Sequence, residues 1–407
     1  INYLEVFTII NIIEAEPLFD WIFSVKSKQG LGGKPPAFFI SDWDLDFQHL
    51  HKPQSLIDSI FDNSKNQVYQ YNLSDDVHEL PKSIVLSHIE ELNYNIENIA
   101  ICSNGTSAIH SALTVLSKNV KNFLLLSPTY FLYPALLRYL DCQITHCAYD
   151  GHENFDFDSL KKLLETKEIE AIILIDPIFS MGRSVPIEFY SFIANCCVEL
   201  NIWLLVDNMY GCCEWNSSTT ISNIYFNLQK LEIIARLEKH IYIDSITKRV
   251  GLNGNKVSMV FSSPSFIRNL ESYSLYVTGS FCITQINLIN EFYSADNQAY
   301  LTECIHKNIE NAMNHYNLIQ SIIQGSAMYL SKTDSGYFTC LHIPKVKLGL
   351  DNEKDIFNFL LDKAEIITLP TSLFHYSNDE YYSFRVNLLA DKAKLFKSIN
   401  RLRALFP

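Results

Sequence analysis

Between residues 100 and 261 the chain alternates short apolar runs with stretches of helical periodicity, and few folds accommodate that order. The runs are Ala100–Ser103, Phe123–Leu126, Gln143–Cys147, Ala171–Ile175, Trp203–Val206, Ile241–Asp244 and Val257–Phe261. Between them lie amphipathic stretches such as Phe157–Glu165 and Ile187–Leu200. A strand that is apolar on both faces must be covered on both faces. The order therefore predicts an α/β unit whose mostly parallel sheet, here of seven strands, carries helices on either side.

The remainder reads differently. From about Leu301 long helical patterns lead into short strands at Tyr337–His342, Ile366–Leu369 and Tyr382–Asn387, then a last helix over Lys392–Leu405. The expected division is a large domain over residues 48–300 and a smaller α+β domain made of 301–407 with the N-terminal segment 1–47. Gly30-Leu31-Gly32-Gly33 lacks the strand-then-helix setting of a phosphate loop and runs into Pro35-Pro36, so a mobile loop or lid is expected there.

Charge and cysteine usage bound the partners. The formal net charge is −13, whereas nucleic acid and anionic membrane surfaces call for clustered Lys and Arg, so neither is expected as a partner. No apolar run approaches the length of a membrane span. The ten cysteines show no zinc-ligand spacing; no metal site is expected, and reduced, buried thiols in a cytoplasmic protein are.

In a doubly covered parallel sheet, ligands gather at the carboxyl ends of the strands. After the first run comes Ser103-Asn104-Gly105-Thr106-Ser107, small residues that can open a helix and offer free N–H groups to an anion, or merely cap it. After the second comes Ser127-Pro128-Thr129-Tyr130, where an aromatic could cover a flat ring or fill core. Asp207 follows four apolar residues and needs a positive partner if buried: a pyridinium nitrogen, a lysine or a helix N-terminus. After the sixth run, Asp244-Ser245-Ile246-Thr247-Lys248 places a lysine at a strand end, either a Schiff-base amine or a solvated surface group.

Taken together and in this order, from Tyr71 to Arg385, these residues resemble the class I and II aminotransferases, the pyridoxal 5′-phosphate (PLP) enzymes of fold type I in the aspartate aminotransferase superfamily. The resemblance implies that Lys248 holds the cofactor and shuttles the proton, that Asp207 keeps its ring nitrogen protonated, and that Tyr210 donates to its phenolic oxygen. Tyr130 would stack on the ring. Gly105, Thr106, Ser107, Ser245 and Lys256 would surround the phosphate. Tyr71, in Tyr71-Asn72-Leu73-Ser74-Asp75-Asp76, resembles the tyrosine that reaches the phosphate of the other subunit, which implies a homodimer. Phe384-Arg385-Val386-Asn387, preceded by Leu369-Pro370-Thr371-Ser372-Leu373-Phe374, resembles the segment whose arginine binds the substrate α-carboxylate.

Three positions depart from the family. Phe179, in Asp176-Pro177-Ile178-Phe179-Ser180-Met181-Gly182, stands where an asparagine donates to the phenolic oxygen; Lys256 stands for an arginine; Asp76 stands for a turn glycine. The expected function is PLP chemistry at the α-carbon of an amino acid, foremost transamination. Elimination, replacement, cyclisation or oxygen-dependent oxidation on the same fold is the first alternative, and a PLP-binding regulatory module without turnover the second.

Overall fold

A computed structural model describes residues 17–28, 37–46, 48, 50–69, 75–149, 157–215 and 224–407. Its strands are β1 (Phe38–Phe39), β2 (Ile99–Cys102), β3 (Asn122–Ser127), β4 (Gln143–Ala148), β5 (Ala171–Ile175), β6 (Trp203–Asn208), β7 (His240–Asp244), β8 (Ser258–Ser262), β9 (Tyr329–Leu330), β10 (Phe338–Pro344), β11 (Ile366–Ile367) and β12 (Tyr381–Asn387).

Strands β2 to β8 form one sheet in the order β2-β8-β7-β6-β5-β3-β4. All pairings are parallel except those of β8, which runs antiparallel to β2 and β7. The seven apolar runs read from the sequence are these strands, displaced by at most two residues at an end. Every residue of β2, β5, β7 and β8 is buried, which is why those runs are apolar without alternation. The carboxyl ends of β2, β3, β5, β6 and β7 meet at one edge, joined there by the amino end of β8.

Local chemistry fixes the turns at that edge. Asn104 caps the helix Gly105–Leu116: its side chain accepts from the Ser107 N–H while the Ser107 hydroxyl accepts from the Asn104 N–H. The helix lays Ala108, Ile109, Ala112, Leu113 and Leu116 on the sheet. Gly182 closes the turn after β5 with φ +65°, and a Cβ there would stand 2.1 Å from the Phe338 carbonyl oxygen. No other residue fits.

The second assembly is an antiparallel sheet, β12-β10-β9, beside a parallel pair in which β1 joins β11 through Phe38↔Ile366 and Phe39↔Ile367. The N-terminal segment is thus stitched to the C-terminal strands. The Asn387 N–H donates to the Ile40 carbonyl, the Asn387 carboxamide to the Asp42 and Asp44 carbonyls, and the Leu369 N–H to the Ser41 hydroxyl. The short strands β1 and β9 carry too few residues to show periodicity. The final helix spans Lys392–Leu405, as its pattern predicts. The Gly30–Gly33 stretch and Tyr71 lie outside the described residues. Asp76 falls at the start of the helix Asp75–Leu86.

One charged pair sits at the centre. Arg249 and Asp244 are paired with both side chains fully buried. Arg249 also donates to the Gly211 carbonyl (3.0 Å) and the Tyr225 carbonyl (2.7 Å), and Asp244 accepts from Asn208 (3.1 Å). Removing one partner leaves the other charge buried and unmatched. Arg249→Met is expected to lower stability by about 3–5 kcal/mol, and the double variant Arg249→Met/Asp244→Leu to recover much of that loss. Urea unfolding of the three proteins measures both.

Candidate active site

A cavity of about 500 Å³ opens at the carboxyl edge of the large sheet, the size of a typical small-ligand site. Gly105 and Thr106 after β2, Tyr130 after β3, Phe179 after β5, Asp207 and Tyr210 at and after β6, Ser245 and Lys248 after β7, and Lys256 before β8 all line it. Residues as distant in sequence as Gly105 and Lys256 are gathered because five parallel strands end at one edge, where β8 begins.

Asp207 is buried at the end of the central strand. It accepts from the Tyr133 hydroxyl (3.0 Å) and from the Met209 N–H (3.1 Å). Burial pushes its carboxyl up to about 6; the two donors hold it lower, and the nearby Asp244 adds to the rise. It is an anion at neutral pH, held ready for a cation.

Lys248 lies on the short helix Ile246–Val250, which Ser245 caps and Gly251 ends in the left-handed region. Its ammonium donates to the Asn253 side chain at 2.8 Å and lies 5.8 Å from the centre of the Tyr210 ring. Burial brings its pKa down to about 8, helped by the charges of Lys256 and Arg385 and opposed by Asp44. An amine that titrates there is available as a nucleophile near neutrality. Tyr210 meets Phe338 edge-on at 5.6 Å, and burial raises its phenol far above the ordinary range.

On the anion side, Ser245 donates to the Val257 carbonyl (2.8 Å), and its hydroxyl oxygen accepts from the Thr247 N–H. Lys256 is exposed, and Gln285 holds its loop by donating to both the Lys256 and Ser103 carbonyls. Gly105 keeps this wall low: a Cβ would meet the Met209 thioether at 2.7 Å. Ser107 is placed otherwise than expected. It does not line the cavity, because its hydroxyl is engaged in the Asn104 capping box and with the Asn104 carbonyl.

Arg385 on β12 is 1% exposed, and no carboxylate pairs with it among the described residues. Its Nε and one terminal nitrogen donate to the Ser41 carbonyl. The guanidinium lies 4.0 Å from the centre of the Trp43 ring and 4.6 Å from that of Phe338, both of which line the cavity, whereas Arg385 itself does not. Burial pulls its pKa down to about 10, so it remains charged at neutral pH.

Phe179 faces the cavity with its ring 5.4 Å from that of Tyr130 and 4.9 Å from that of Phe374. Asp176, at the head of the same turn, is bound to Lys230 (2.6 Å), Tyr190 (2.8 Å) and the Val185 N–H. No motif marks Phe23 on the helix Pro17–Lys28, Trp43 in an irregular stretch, Phe131 at a helix start or Phe338 at a strand start, nor Asn253 and Gln285.

The family model for aminotransferase class I and II matches residues 44–402. The chain belongs to that family. Similarity to individual proteins is low: 21% identity over 293 residues with 1-aminocyclopropane-1-carboxylate synthase 7 of Arabidopsis thaliana, covering 68% of this chain and 64% of that protein. Nicotianamine aminotransferase 1 of Oryza sativa subsp. japonica is 21% identical over 341 residues, covering 79% of this chain and again 64% of its own length. The chain thus spans less than two thirds of these relatives. The fold matches the aspartate aminotransferase of Rhizobium meliloti with a TM-score of 0.79 over 97% of each chain at 14% identity.

The family is PLP-dependent, and the residues here fit that cofactor. A helix N-terminus with Thr106, Ser245 and Lys256 suits a phosphate, a buried carboxylate suits a pyridinium, and a half-buried amine of low pKa suits an aldehyde.

The buried carboxyl gives a test that needs no turnover. The folded chain holds a proton on Asp207 up to about pH 6, whereas the unfolded chain releases it near 3.8, so stability falls as pH rises through that window. In cofactor-free protein, Asp207→Asn is therefore expected to be more stable than wild type at about pH 7, with the difference closing toward about pH 4. Urea unfolding across pH checks the sign.

Proposed function

We propose that this protein is a PLP-dependent aminotransferase acting at the α-carbon of an amino acid. The observation that supports this best is a half-buried Lys248 lining the cavity and a buried Arg385 packed behind the lining rings of Trp43 and Phe338, neither of them paired with an acid among the described residues. Such charges are costly to bury unless a ligand brings the matching anions.

The assigned roles follow from placement. Lys256, Ser245, Thr106 and the Gly105 helix end would hold the phosphate, with Ser107 acting through Asn104. Asp207 would hold a proton on the ring nitrogen, Tyr210 would donate to the phenolic oxygen, and Tyr130 would cover the ring face. Bound there, PLP supplies an electron sink for the carbon from which a proton is removed. Lys248 would hold the cofactor at rest, then take the α-proton on Nζ and return it. Arg385 would hold the α-carboxylate and so fix which bond meets Lys248.

A homodimer with Tyr71 reaching the partner's site is part of the proposal. Apolar side chains support it: Phe61 is 54% exposed, Leu80 58%, Leu275 53% and Tyr276 88%, on helices Gln54–Ser64, Asp75–Leu86 and Pro264–Thr278. A cytoplasmic setting is supported by ten free thiols, eight of them buried.

Phe179 favours a second reading. An apolar ring in place of an amide removes one donor from the cofactor's phenolic oxygen, and that change suits chemistry at the same carbon other than transamination.

Borohydride is expected to fix PLP to the peptide containing Lys248, and Lys248→Ala to lose the cofactor's absorbance band and turnover together. A label on another lysine would sink the assignment. Titration with amino acids, followed by product identification, separates a keto acid from other products. Arg385→Lys is expected to weaken every accepted amino acid by roughly 2–5 kcal/mol. Unchanged KM values would place the carboxylate elsewhere.

A further inference from the structure

The cavity has a wall that the roles above leave unused. Beside the Trp43 ring that covers Arg385, Phe131 meets Trp43 edge-on at 6.3 Å and Phe23 faces it at 6.5 Å. All three line the cavity, and Phe131 continues into Tyr130 at 4.6 Å. A group attached to the α-carbon of a carboxylate held at Arg385 would emerge among these rings.

Among the described residues this wall carries no charge. Among the described lining residues the cations are Lys248 and Lys256, and Gln285 anchors the Lys256 loop at the far side, beside Ser103. Lys26, on the helix that carries Phe23, does not line the cavity; it lies 4.2 Å over Phe39 and 3.5 Å from Asp42. The acidic lining residues are engaged too: Asp176 by Lys230 and Tyr190, Asp207 by Tyr133 and the Met209 N–H. A second carboxylate on the substrate would be stripped of water without a cation to meet it, and an ammonium side chain without an acid. An aromatic or large aliphatic group would instead bury its surface and gain edge-to-face contacts.

We propose that the substrate is an amino acid with an aromatic or large apolar side chain, seated against Phe23, Trp43 and Phe131. This rests on the reading of Arg385 as the carboxylate site. The three rings then select the side chain, while the Arg385–Ser41 anchor sets the position from which it is measured.

Calorimetric titration of the PLP-loaded protein with three amine-free acids tests it: 3-phenylpropanoate, succinate and propanoate. 3-Phenylpropanoate is expected to bind at least about tenfold more tightly than either of the others. Phe131→Ala should bring its affinity to within about threefold of propanoate measured on the same variant. If Phe131→Ala does not fold, Phe23→Leu repeats the comparison from the other side of the wall. Succinate binding as tightly as 3-phenylpropanoate would overturn the side-chain class and leave Arg385 as the carboxylate site. Binding of none of the three would remove the carboxylate site and this inference with it.

Discussion

The geometry of the site depends on one buried ion pair. Arg249 follows Lys248 in the chain, and its guanidinium reaches Asp244 at the end of β7, the Gly211 carbonyl just past Tyr210, and the Tyr225 carbonyl. One side chain thereby ties the lysine's helix to the turn that carries Asp207 and Tyr210. In water such a pair is worth little. In the interior, where nothing else can satisfy either charge, it leaves few alternative arrangements for these three segments. Tyr337 extends the tie to the second assembly by donating to the Arg249 carbonyl at 3.1 Å.

Against this frame, two cations at the cavity have no acid paired with them among the described residues. Asp244 answers Arg249 and Asp176 answers Lys230, but Lys248 has an amide and Arg385 a backbone carbonyl. The protein as a whole carries a formal charge of −13. Lys248 is nevertheless half-buried and Arg385 fully buried, and with water largely kept from them each missing counter-charge raises the affinity for an incoming anion.

Much of this was legible because strand ends leave a signature. An Asp after four apolar residues, or a lysine four positions beyond a buried strand, stands out against strands whose middles are mostly apolar. The rule that ligands collect at the carboxyl edge then supplied the contacts between distant segments. What was not legible has a physical cause as well. Trp43 and Phe23 reach the cavity through contacts with the C-terminal strands, and β1, which fixes that segment, has two residues and no periodicity. The Asn104–Ser107 box shows the reverse difficulty: a hydroxyl at the right spacing for a phosphate is already spoken for by the helix end. Phe179 could be seen as a departure, but only its packing against Tyr130 and Phe374 shows that it faces the cavity.

The link between Arg385 and Ser41 joins positions 344 residues apart. Its partners lie far apart in the sequence, so the proposed carboxylate site cannot exist on a growing polypeptide until β12 has been made. The frame of Lys248, Asp207 and Arg249 is encoded earlier and could form first. During synthesis at about 5–20 residues per second, that frame would therefore have its lysine and carboxylate in place for seconds before the second cation arrived. A nascent chain could capture its cofactor before it was able to recognise a substrate.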